Sequence, residues 1–476
     1  MDEKQYRLAI EELAKTPDFT TADEEFYNKL DKLTEDAKDM IRANTDDLRS
    51  ESGTNYYVSN DGDDSADGTS PETAWKTLGK ANSHTFTAGD ALLLRRGDTW
   101  YENIVAQNGV SYSAYGTGAK PQVFWAHNGK LGTWEKTDTE GIWCYSKVLD
   151  NDFDIGVIVF NDGECYAEKK LSVKDLKNDL DFVFAGEVSS EEPFDNKLYL
   201  RCEKGNPNDI FNQIDISRRS KSNASIITIG GNAHDIAIKN LELRYGQDFF
   251  FTANSKNISM SYCVCGWTGG MLISKKEQIR YGGGGGGWLS CDKMTFDHCY
   301  IYQQFDSGVT PQYHWKDETA GIFKDFKTTD CVFENCEYTL EYFHTQKPVR
   351  FNGYDNMVFN YNICRKGGYG FGDKTTQSRY VKSWGHENTC KKCEIAHNIF
   401  DRAADMSIEI IGHDFGDCGF EVDYGSIPKL SHNVYIEPSN KNFANINHII
   451  YKFNKAAKIT LERLDADIDS VYIFSE

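Results

Sequence analysis

What the chain lacks sets the first limits. It has no uninterrupted apolar run of the ~18 residues that a membrane-spanning helix needs. It is short of positive charge: 52 Lys and Arg stand against 73 Asp and Glu, a net charge of −21. Phosphate recognition needs a basic surface, so this balance argues against a nucleic-acid partner and mildly against a polyanionic substrate. Residues 1–13 open on acids and hold no apolar core of signal-peptide length. The expectation is a soluble, cytoplasmic protein, or a secreted one if a leader has been removed. The glycine run 282–287 has no Lys-Ser/Thr behind it, so it is no phosphate loop and reads as a flexible loop at a groove edge. Cys390-Lys-Lys-Cys393 has zinc-like spacing but no second pair, and the acidic loop 61–67 lacks the Glu that closes an EF-hand. No metal and no cofactor are expected.

What is present is rings, turns and a repeat. Phe 28, Tyr 26 and Trp 9 accompany 40 glycines, which suit tight turns between short strands. Seven segments recur in the second half: residues 235–241, 257–263, 293–299, 325–331, 356–362, 392–398 and 427–433. Most place small or apolar residues two apart, then a polar residue, then Cys or Asn (Leu in the first). Their last positions, Leu241, Cys263, Cys299, Cys331, Asn362, Asn398 and Asn433, lie 22, 36, 32, 31, 36 and 35 residues apart. Alternation marks a strand with one buried face, and repetition at this period marks a solenoid whose units bury themselves against their neighbours. Short strands without long helical periodicity predict an all-β chain, a parallel β-helix. Cys263, Cys299, Cys331 and Cys393 sit at inward repeat positions, so the 13 cysteines read as core thiols, in keeping with a reducing cytosol.

Residues 1–52 differ in composition. Leu8, Ile10, Leu13, Phe26, Leu30, Leu33 and Ile41 have helical spacing, and Thr21-Ala-Asp-Glu24 resembles a capping box. They read as a helical N-terminal cap or flank for the solenoid. Residues 53–451 are expected to form the β-helix, with room for an inserted β-rich subdomain within 122–222. Residues 452–476 are expected to close the other end.

Particular stretches also carry a resemblance. Tyr57-Val-Ser-Asn-Asp-Gly62, Asp67-Gly-Thr-Ser-Pro-Glu-Thr-Ala-Trp75, Ala88-Gly-Asp90, Arg96-Gly-Asp-Thr-Trp100 and Ala114-Tyr-Gly-Thr-Gly-Ala-Lys-Pro121 resemble the opening of bacterial right-handed parallel β-helix proteins of the pectate-lyase superfamily. Tyr302-Gln-Gln-Phe-Asp-Ser-Gly-Val-Thr-Pro-Gln312, Glu334-Asn-Cys-Glu-Tyr-Thr-Leu-Glu-Tyr-Phe343 and Gly367-Gly-Tyr-Gly-Phe-Gly372 resemble a branch that includes glycoside hydrolase family 141. The likeness spans roughly residues 55–435. It implies a right-handed helix and a carbohydrate substrate, and specifies fold more than reaction, since the superfamily holds hydrolases, lyases, epimerases and inert tail spikes.

Stacked coils bring equivalent positions to about 4.8 Å from one another. Asp306, Glu341, Asp373 and Glu409 follow their reference residues by 7, 10, 11 and 11 positions, so four consecutive coils each offer one carboxylate in the same region. Glycoside hydrolysis needs two carboxyls, about 5 Å apart for retention or about 6.5–9.5 Å for inversion. Asp306, Glu341 and Asp373 are therefore the expected catalytic acids. Gln312, His344, Arg379 and Glu409 are expected to orient the sugar, and Tyr342, Tyr369 and Trp384 to stack on it, beside Trp267, Tyr302 and Trp315. Core or inter-loop packing is the plainer reading for any single ring. A lyase or epimerase on uronic acids, with Arg379 and His344 in the leading roles, and a non-catalytic glycan-binding solenoid are the alternatives. His298, His397 and His432 share a column with Asn240, Tyr262, Asp330 and Tyr361, which reads as a stacked polar turn rather than a metal site. The oligomeric state is left open.

Overall fold

The computed structural model describes residues 1–149, 151–186, 195–274, 279–288, 291–313, 322–344, 353–372, 375–384, 390–411 and 427–475. The chain is mostly β, and its strands gather into large parallel sheets. In the first sheet the strands His234–Lys239, Lys256–Ser261, Asp292–Asp297, Ile322–Thr329, Val358–Asn360, Glu394–Ala396 and Lys429–Ser431 stack in chain order, parallel and in register. These are the seven repeat segments. Their alternation turns Ile236, Ile258, Met294 and Phe326 into one continuous core, in which Phe250 lies on Phe296 with ring centres 5.6 Å apart.

Each coil turns at left-handed residues that are not glycine. One corner opens the repeat (Asp235, Asn257, Lys293, Asp325, Asn356, Lys392) and one closes it (Asn240, Tyr262, His298, Asp330, Tyr361, His397, His432). A third follows five residues later (Tyr245, Trp267, Gln303, Asn335, Lys366, Arg402), and φ across all three columns runs from 49° to 76°. Left-handed backbone costs about 1–2 kcal/mol in a side-chain-bearing residue, and stacking offsets part of it. Tyr262 lies on His298, Tyr361 on His397 and His397 on His432, with ring centres 4.7, 4.6 and 4.8 Å apart. Those distances match the spacing of paired strands.

Behind the closing corners the reference residues form an internal ladder. Asn362 donates through Nδ2 to Asn398 Oδ1 at 3.0 Å, and Asn398 does the same to Asn433. Earlier in the chain thiols take over: the Cys299 amide donates to Cys331 Sγ at 3.2 Å. After the corner the chain enters the second parallel sheet, which continues through Phe250–Ala253, Gly285–Trp288, Tyr300–Tyr313, Val332–His344, Arg379–Trp384, Met406–Ile410 and Asn442–Ile446.

Eight strands between Ala126 and Ser217 form a separate, largely antiparallel sheet with its own core of Phe160, Phe182, Leu198 and Ile216. The second half of the glycine run is no loop: residues 285–287 are strand, paired with Phe250–Thr252 on one side and Val309–Pro311 on the other. A Cβ on Gly284, Gly285 or Gly286 would collide with the Gly308 carbonyl, the Phe249 ring or the Thr310 carbonyl. The neighbouring coils come too close there for a side chain.

The N-terminal helices, α1 (Glu3–Leu13) and α2 (Glu24–Ala43), lie against the second sheet. Phe26, Leu30, Leu33, Ala37 and Ile41 pack on the outer side of the second sheet, against Val264, Tyr300, Val332, Ile363, Ile399 and Val434. Twenty helical residues span about 30 Å, and six stacked strands about 24 Å, so α2 reaches across all six. The α2 N-cap is Asp23, whose carboxylate accepts from the Phe26 amide at 2.8 Å, not Thr21. No described helix is long and apolar enough to cross a membrane.

Candidate active site

In the third strand of each coil the alternation places Val309, Leu340, Val381, Ile408 and Ala444 in the core. The residue after each therefore faces outward. Val309 pairs with Leu340 and Gln312 with Phe343, which sets Thr310 beside Glu341. Glu341 pairs with Lys382, Lys382 with Glu409, and Glu409 with Asn445. Four coils thus align Thr310, Glu341, Lys382 and Glu409 in one outward column, with Gly286 next in line beyond Thr310.

The column is shielded from water: Thr310, Glu341 and Lys382 are 3%, 6% and 8% exposed. Buried charge must be paired, and here it is. The Lys382 ammonium bonds the Glu409 carboxylate, and Arg379 Nε reaches the same carboxylate at 3.0 Å while its other end bonds Asp405. Asn445 adds a donor to Glu409 Oε1 at 3.2 Å. Burial works against the charge on Glu409, but Lys382 and Arg379 outweigh it and hold the carboxyl below its usual range. Burial, supplemented by Arg379, lowers the Lys382 ammonium, and Glu409 only partly restores it. Gln312 donates to Thr310 Oγ1 at 2.9 Å, and Thr310 donates onward to Glu341 Oε2 at 3.4 Å, a relay that orients the Glu341 carboxyl.

No protein-family model matches the chain, and no curated protein matches it. Among solved structures, the complex of XylC with xylose is similar at 10% identity and a TM-score of 0.45, covering 88% of this chain and 83% of that one. A structure described as a glycoside hydrolase is similar at 8% identity and TM-score 0.43, covering 89% of this chain and 96% of that one. The GH136 lacto-N-biosidase from Eubacterium ramulus is similar at 13% identity and TM-score 0.36, covering 95% of this chain and 70% of that one. At such scores the likeness says nothing of what this chain acts on.

The predicted site residues divide. Glu341, Glu409, Arg379 and Gln312 meet along the column. Asp306 does not join Glu341: it precedes Ser307, which pairs with Tyr338, three positions before Glu341. Four positions along the strands and one coil across put the two backbones about 14 Å apart. Asp306 lies instead toward Tyr338, whose phenol is raised by burial and then by Glu337, Asp306 and Glu341. Asp373 and Trp315 lie outside the described residues. His344 and Trp384 are described by backbone alone, His344 opposite Tyr313 and Trp384 opposite Phe343.

The aromatic expectations need correction. Tyr342 follows Glu341, so the alternation turns it inward; it is fully buried and meets Tyr354 edge-on at 5.3 Å. It cannot stack on a sugar. Trp267 is 4% exposed and packs on Phe371, with ring centres 5.8 Å apart. Tyr369 has an open face, at 56% exposure, but stands in the turn after Ile363–Arg365, away from the column. Sequence reasoning missed Lys382 and Thr310. The signal was there, since each follows an apolar residue in the same strand as a predicted site residue.

Among the described residues, Asp297, His298 and Asp330 form a group able to hold a metal, at a coil corner outside this column. Cys390 and Cys393 are buried in the core, where the Cys393 thiol donates to the Tyr354 carbonyl at 3.5 Å.

Proposed function

We propose that the chain is a right-handed parallel β-helix that acts on carbohydrate, and that it hydrolyses glycosidic bonds with Glu341 and Glu409. The observation that carries this reading is the shielded outward column, in which two carboxylates stand two coils apart. That separation is about 9.6 Å between backbones, close to the spacing of about 6.5–9.5 Å at which an inverting pair admits both sugar and water. Glu409, held ionised by Lys382 and Arg379, is suited to the base that activates water. Glu341, oriented by Thr310, is suited to the acid that protonates the leaving oxygen. Asp373, which lies outside the described residues, remains a candidate for the same cleft.

The test is a screen of purified protein on aryl glycosides and plant oligosaccharides with a reducing-end assay. Glu341→Gln and Glu409→Gln are each expected to lower kcat by about 10²–10⁴, with the fold intact by circular dichroism. Undiminished turnover in both variants refutes the pair.

A second reading is favoured by one observation. Lys382, lowered below the usual ammonium range and next to Arg379, suits a base that removes the proton α to a uronic carboxylate while Arg379 neutralises that group. Ultraviolet absorbance separates the two, because only a lyase makes an unsaturated product.

A further inference from the structure

We propose that Asp297, His298 and Asp330 bind a divalent transition-metal ion of the zinc or cobalt class, at the corner where α1 meets the first sheet. His298 and Asp330 occupy equivalent left-handed corners on adjacent coils, and Asp297 precedes His298. One donor atom from each lies within 4.8 Å of the others. His298 is 2% exposed, and both of its ring nitrogens are buried without a hydrogen bond. An imidazole buried this way costs about 1–3 kcal/mol unless something accepts its lone pair or proton.

The Nδ1 atom stands 3.0 Å from Asp297 Oδ2, yet the contact lacks the direction of a hydrogen bond. Distance without direction is what two neighbouring ligands of one ion show, and bonds of about 2.1 Å at the tetrahedral angle would need these two atoms to part to about 3.4 Å on binding. The charge balance agrees. Arg7 of α1 holds Asp330 through two hydrogen bonds, of 2.7 and 2.6 Å, and pairs with Glu3 at 2.9 Å. One guanidinium against Glu3, Asp297 and Asp330 leaves a local negative excess. An imidazole with two carboxylates suits zinc or cobalt better than calcium, which prefers oxygen throughout. Because Asp330 also carries Arg7, the ion would fasten α1 to the coils.

The experiment uses the full chain, stripped with EDTA and titrated with Co²⁺ by calorimetry and visible absorption. The expected result is one Co²⁺ per chain and a rise in thermal midpoint on binding. His298→Gln and Asp297→Asn should each weaken binding at least about 100-fold, whereas His397→Gln and His432→Gln should bind as the parent does. Asp297 is 36% exposed at its side chain, so its Asn variant keeps the test alive if His298→Gln fails to fold. No binding by the parent chain, or undiminished binding in Asp297→Asn, overturns the proposal.

Discussion

Asn398→Ala probes the internal ladder most directly. Asn398 is fully buried, and its side chain makes four hydrogen bonds. Its Nδ2 donates to the Phe359 carbonyl at 2.8 Å and to Asn433 Oδ1 at 3.0 Å, while its Oδ1 accepts from the Asn362 amide at 2.9 Å and from Asn362 Nδ2 at 3.0 Å. Alanine removes all four. Two of the groups left behind keep a partner: Asn362 Nδ2 still reaches the Thr328 carbonyl, and Asn433 Oδ1 still accepts from the residue-398 amide. The Asn362 amide keeps none. At about 1 kcal/mol for each of the other three bonds and about 1–3 kcal/mol for the bare buried N–H, the loss is about 4–6 kcal/mol. Asn398→Cys is the control. A thiol already serves this column at Cys331, accepting the Cys299 amide at 3.2 Å, so Cys should recover about 1–2 kcal/mol of the loss. Urea unfolding followed in parallel by circular dichroism and tryptophan fluorescence reads both variants and shows whether the coils unfold as one unit. A cost below about 1 kcal/mol for Ala, or Cys no better than Ala, refutes the reasoning.

Other predictions concern charge and space. Lys382→Met removes the main group holding Glu409 ionised, so the acidic limb of the kcat/KM profile should move to higher pH; an unmoved limb means that Glu409 does not act as the base. Asp467 is pushed up from 3.8 to about 6 by burial, so the native state binds its proton more tightly and loses that stability as pH rises through this window. Asp467→Asn should therefore gain on the parent by about 3 kcal/mol between pH 4 and 7, read by unfolding at both pH values. Gly286→Ala should cost about 1–3 kcal/mol through collision with the Thr310 carbonyl, whereas Gly230→Ala, which meets open space, should stay within about 0.5 kcal/mol in the same assay.

The coil column was legible because every repeat carries the same burden. A residue with two stacked neighbours must be small or apolar, or able to bond above and below as Asn398 does, and only Cys, Asn and similar residues qualify. The third strand was harder to read. Its start slides along the chain, so offsets of 7, 10 and 11 did not reveal that Asp306 and Glu341 stand four positions apart. Parity settles Tyr342 against Glu341, and parity becomes readable only once Leu340 is known to face the core. The glycine strand resembles a loop in composition because the rule that glycine weakens strands assumes room for a Cβ, and those coils leave none. The helices of residues 1–43 were read from their periodicity, but periodicity gives an apolar stripe and not the surface it meets.

The corner columns have a consequence for how such a protein tolerates change. From the opening corner to the third, six coils use the same eleven residues, as in 235–245 and 392–402. All difference in coil length therefore accumulates in the remaining arc, which also carries Glu341, Lys382 and Glu409. Lengthening or grafting there leaves the scaffold's register untouched, while one residue added inside the constant stretch would misalign every coil stacked on it. The scaffold is thus built to keep its spine invariant and to let one edge diversify.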